Sequence, residues 1–97
     1  MTLLIEYLEE ETGNLVKLRE NVKNLMHEFI KTGDPDLRKE VAKAKRELRI
    51  RHAEIMDYLL VHLEEIYYFQ RYYPDLLQTF VEDPIIGPLI SKRLWLL

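Results

Sequence analysis

Six cations, Arg38, Lys39, Lys43, Lys45, Arg46 and Arg49, crowd one short stretch of this chain. On a helix they fan over the side opposite Leu37, Val41 and Leu48, along about 17 Å of axis, a spacing that can follow successive phosphates. Glu40 and Glu47 flank them and the sequence pI is 5.6. No zinc-finger spacing, arginine-rich arm or short helix-turn-helix unit accompanies the patch. Nucleic-acid contact through these six residues is therefore the second of two functional readings. A solvated face, or one that complements another subunit, is the first.

Other chemistry is sparse. Cysteine is absent, which removes thiol nucleophiles, thiolate metal sites and disulfides. Ser91 is the single serine, and no glycine-rich phosphate loop occurs. His27, His52 and His62 are not at zinc-ligand spacing, and the Glu-x-x-His pairs of a carboxylate-bridged site are missing. His62 and Glu65 lie one helical turn apart, with Glu9 or Glu10 within reach across an antiparallel hairpin. That is the one combination resembling a divalent-cation site, and a solvated acidic end is the preferred account of it. We assign no catalytic residue, no metal and no cofactor, and expect a protein that is not an enzyme.

The aromatic residues carry more information. Tyr67, Tyr68, Phe69, Tyr72 and Tyr73 are too many and too consecutive for one apolar stripe, so a helix bearing them must contact more than one neighbour. With Trp95 in the apolar tail, they form the expected protein interface.

These groups must be held by helices. From residue 3 to about 31, Leu4, Leu8, Glu11, Leu15, Leu18, Val22, Leu25 and Phe29 step by four and three, placing seven apolar residues and one carboxylate on one side. Glu6, Glu9, Glu10 and Glu11 bring to the early turns the charge that a helix N-terminus favours. Gly13 is the weak point, costing ~1 kcal/mol relative to alanine, and a break there would leave Asn14 as a new cap. Residues 32–35 form a tight turn, with Gly33 fit for the left-handed position after a helix, Asp34 for the next N-cap and Pro35 for its first turn.

A second helix is expected over about 35–73, free of glycine and proline after Pro35. Its stripe follows an eleven-residue repeat, Leu37, Val41, Ala44, Leu48, His52, Ile55, Leu59, Leu63, Ile66 and Gln70, eight of them apolar. A strict heptad instead collects Arg51, His62 and Glu65 as misfits. Pro74 ends the helix, a short helix follows at about 75–82, and an apolar tail occupies 84–97 with a final turn or two of helix. The tail's uses are folding back over the aromatic end, exchange onto another subunit, docking to a different protein, or an interfacial membrane contact.

Charge is unevenly distributed. Lys17 to His52 carries eleven basic and six acidic residues, while 1–16 together with 53–70 carry eight acidic and no basic ones. An antiparallel hairpin is then positive at its turn and negative at its mouth. Two hairpins packed antiparallel pair opposite ends, whereas a parallel pair sets like against like.

The expectation is a single all-α domain over 1–97, a long antiparallel helical hairpin with one or two short C-terminal helices, forming a four-helix core as an antiparallel homodimer. Its function is that of a helical-bundle interaction or scaffold protein, with a further protein partner as an option. At 97 residues and 47% hydrophobic content the core is real but small, which favours association. With no leader pattern and no run of about 20 apolar residues, the reading has no transmembrane segment and a cytoplasmic protein. High charge and few amides lean toward a heat-adapted source.

Overall fold

Helix α1, Leu3–Thr32, is continuous through Gly13. Asn14 does not cap a second helix there. The Thr12 hydroxyl donates to the Leu8 carbonyl at 2.7 Å and the Asn14 amide to Glu11 Oε1 at 3.4 Å, both within the helix. Leu8 and Leu15, buried on either side, hold the backbone helical against the local propensity of glycine. The computed structural model describes residues 3–94, so Trp95 lies outside the described residues.

The turn follows its sequence. Gly33 sits at φ 67°, donating its N–H to the Phe29 carbonyl at 2.7 Å, and the Asp34 carboxylate accepts from the Asp36 N–H at 2.9 Å. Pro35 occupies the first turn of α2, Pro35–Val61, which packs back along α1.

The expected single helix over 35–73 is in fact two. One residue, His62 (φ −107°, ψ 29°), separates α2 from α3, Leu63–Tyr72. The Tyr58 carbonyl takes both the His62 backbone N–H, at 3.1 Å, and the His62 ring Nδ1, at 2.8 Å. A side chain inserted into the ladder in this way is a recognised source of helix bends. At the far end Tyr73 (φ −137°, ψ 57°) leaves the helical region, as the residue before a proline is pressed to do, and α4 begins at Pro74 and ends at Val81.

Asp83 organises the passage to α5, Gly87–Leu94: its Oδ1 accepts from the Ile85 and Ile86 N–H groups at 2.8 and 3.1 Å. The Gly87 Cα passes so close to the Val81 carbonyl that a Cβ would collide with it. That closeness lets α5 fold back in the same chain against α2 and α4, where Arg93 Nε donates to the Met56 carbonyl at 2.9 Å.

The core lies at the mouth of the hairpin. Leu4, Leu8 and Leu15 of α1 meet Ile55 and Leu59 of α2, Ile66 and Phe69 of α3, Leu77 of α4, and Ile86, Leu89 and Ile90. Between residues 16 and 54, by contrast, only Val22 and Ala44 are buried. The described residues are all-helical, and the two long helices pack on each other.

Candidate protein interface

Five helices position the aromatic end, and they divide its residues. Phe69, 5% exposed, belongs to the chain's own core. Tyr68 stands edge-on to it, with ring centroids 5.7 Å apart, and Tyr73 lies 6.0 Å from both rings. Tyr72 lies 5.0 Å from Tyr68 and carries the Arg71 guanidinium 5.6 Å from its centroid. Tyr67 and Tyr72 are exposed. The expected collar thus becomes a groove: Tyr68, Phe69, Tyr73 and Leu76 form one wall and Ile5, Glu6 and Glu9 of α1 the other, around a volume of about 350 Å³. It is apolar in its walls and anionic along the α1 edge.

A second groove lies along the turn half. Arg19, Val22, Lys23, Met26, His27 and Ile30 of α1 face Leu48 of α2 around about 370 Å³. Its rim is cationic. Sequence reasoning missed this groove because it followed the stripe that faces α2. Met26 and Ile30 fall beside that stripe, and two apolar residues outside an already complete stripe were the available signal.

The six cations Arg38, Lys39, Lys43, Lys45, Arg46 and Arg49 are all exposed on α2, and none joins an ion pair among the described residues. Glu10, His62 and Glu65 are not brought together: among the described residues no three metal-ligating side chains are placed to share an ion. Instead the His62 ring stacks on Tyr58, centroids 4.0 Å apart, and Tyr58 on Tyr7 at 3.5 Å. Burial, then the nearby Glu11 carboxylate, pushes the Tyr7 phenol up to about 12, and burial followed by Glu65 raises that of Tyr58. Beneath this stack Arg51 reaches across the hairpin to the buried Glu11, Nη1 to Oε1 3.4 Å, and along its own helix to Glu54 at 3.6 Å. Two carboxylate oxygens, Glu11 Oε2 and Glu65 Oε2, are buried without a hydrogen-bond partner from the protein. This cluster ties α1 to α2 and α3.

Near the end of α5, His52 is held below the ordinary histidine value by burial first, then by Arg19 and Lys92. No described helix is long and apolar enough to cross a membrane. Compared with family models, with curated proteins and with solved structures, the chain matches none.

Proposed function

We propose that this protein is a small helical-bundle scaffold that acts by self-association and protein–protein contact. The observation that carries the reading is the uneven cover of the hairpin. Its mouth is closed by α3, α4 and α5, while the turn half exposes Val16 (46%), Met26 and Ile30 (78%) along α1. The radius of gyration, 16.1 Å, exceeds the roughly 12.5 Å expected of a compact chain this long. An elongated pair of helices with an uncovered apolar flank gains the missing cover from another chain, and a four-helix arrangement supplies it. Sedimentation tests this directly. The expected mass is twice 11.7 kDa at micromolar concentration, and a monomer there overturns the reading.

The exposed, unpaired cations of α2 favour one other reading, a nucleic-acid-associated regulator. It requires salt-sensitive retention on nonspecific DNA or RNA that a combined Lys43→Glu, Arg46→Glu, Arg49→Glu variant loses. Retention unchanged by that variant removes this second reading.

A further inference from the structure

The two grooves are related through α1. At about 100° per residue, Ile5, Glu9, Thr12, Val16, Lys23 and Ile30 lie within about 60° of one another, on a flank beside the stripe that meets α2. Val16 stands midway between the grooves. Counting outward from it, Glu9 and Lys23 lie seven residues to either side, Glu6 and Met26 ten, and Ile5 and His27 eleven. Those six residues are all of α1's contributions to the aromatic groove and half of its contributions to the cationic one. Reversing the helix about Val16 therefore lays each groove's edge over the other, Glu9 on Lys23 and Met26 on the Glu6 edge of the aromatic groove.

We infer that the partner for this flank is a second copy of the chain, its α1 packed antiparallel with the two-fold axis at Val16. Each aromatic groove then receives the partner's Met26, with the partner's Ile30 one turn further along, and each Glu9 faces the partner's Lys23. The inference deepens the self-association reading and rests on it. Charge selects the occupant: the groove between Glu6, Glu9 and the tyrosines is anionic, and the segment that would fill it carries Arg19, Lys23 and Lys31 against Glu20 and Glu28, a net positive balance. A parallel pair would instead set Glu6 and Glu9 against their own copies. The pairing is isologous and closes on itself, so it yields a dimer rather than a fibre.

The absence of cysteine makes the axis easy to test. Helices packed about 8–10 Å apart bring residues that face each other on a two-fold into the roughly 4.4–6.8 Å Cα separation of a disulfide. Val16 is exposed, as is Ile50 on α2, which lines neither groove, so neither substitution disturbs the core. Val16→Cys is expected to give a covalent dimer on mild oxidation, and Ile50→Cys to stay monomeric on a non-reducing gel. Glu9→Lys or Lys23→Glu alone should weaken dimerisation at least about ten-fold by sedimentation, and the double exchange should restore it. A stable dimer in which Ile50→Cys crosslinks and Val16→Cys does not overturns the inference and leaves self-association standing. A dimer whose affinity ignores both charge reversals overturns it too. A monomeric native chain removes both.

Discussion

Glu11 and Arg51 are visible in the sequence as flaws, one a carboxylate within an apolar stripe, the other a misfit in a heptad frame. The structure pairs them. Periodicity marks which face a residue occupies but not the register between two helices, so the pairing was not legible although both members were. Glu11 is 5% exposed and its second oxygen has no protein partner, so removing the cation leaves a buried carboxylate without its counter-charge. Arg51→Leu is expected to destabilise the fold by about 1–3 kcal/mol in urea titrations, toward the lower end because the guanidinium is partly solvated. The double change Glu11→Leu with Arg51→Leu should recover most of that loss. Tyr7 gives a pH signature in the same cluster. Its folded value of about 12 stands above the ordinary value of 10, so the fold favours the neutral phenol. The associated stability is complete below pH 10 and is lost as pH rises toward about 12, where the folded phenol ionises. Tyr7→Phe should flatten that alkaline decline, measured by denaturant midpoints across the range.

Elements announced by turn chemistry were legible, and those set by competition within a helix were not. Gly33, Asp34 and Pro35 act in the structure as their residue types indicate, and Pro74 ends α3 by constraining Tyr73. The interruption at His62 has no glycine or proline to mark it. It arises because one imidazole and one backbone N–H share the Tyr58 carbonyl, a geometry that depends on where the ring is held by Tyr58 itself. Two glycines separate the effects of propensity and fit. Gly13 lies mid-helix with nothing within 4 Å of an added Cβ, so Gly13→Ala should stabilise by about 0.5–1 kcal/mol. Gly87→Ala should cost at least about 1–3 kcal/mol, since the methyl collides with the Val81 carbonyl and α5 must shift off the core. Thermal melts of the two variants should therefore move in opposite directions. Melts that move together would deny the close approach at Gly87.

At the scale of the whole molecule, the sequence made the all-helical class and the antiparallel hairpin legible through stripe length and the single tight turn. It did not reveal how the short helices gather at one end. That depends on the joint at Asp83 to Gly87, where carboxylate acceptance and a tight backbone approach turn the chain back on itself. The candidate interface was half legible: the tyrosine cluster could be seen, whereas its α1 wall and the second groove needed the fold. The arrangement also sets how stability should respond to dilution. If association covers the flank of α1, mass action makes the melting temperature rise with protein concentration. Roughly hundredfold dilution should lower it by several degrees, and Glu9→Lys should lower it further at each concentration.

Leu4, near the start of the described chain, and Ile90, near its end, belong to one core cluster. During synthesis, the leucines of α1 therefore wait for α5 before their core is complete. The hairpin can form while the chain is still growing, but its mouth stays open until the residues of α5 emerge. Until then Leu4 and Leu8 lack part of their apolar cover. An interruption of synthesis before residue 86 leaves Leu4 and Leu8 without Ile86, Leu89 and Ile90, and so releases a chain with an unsealed core.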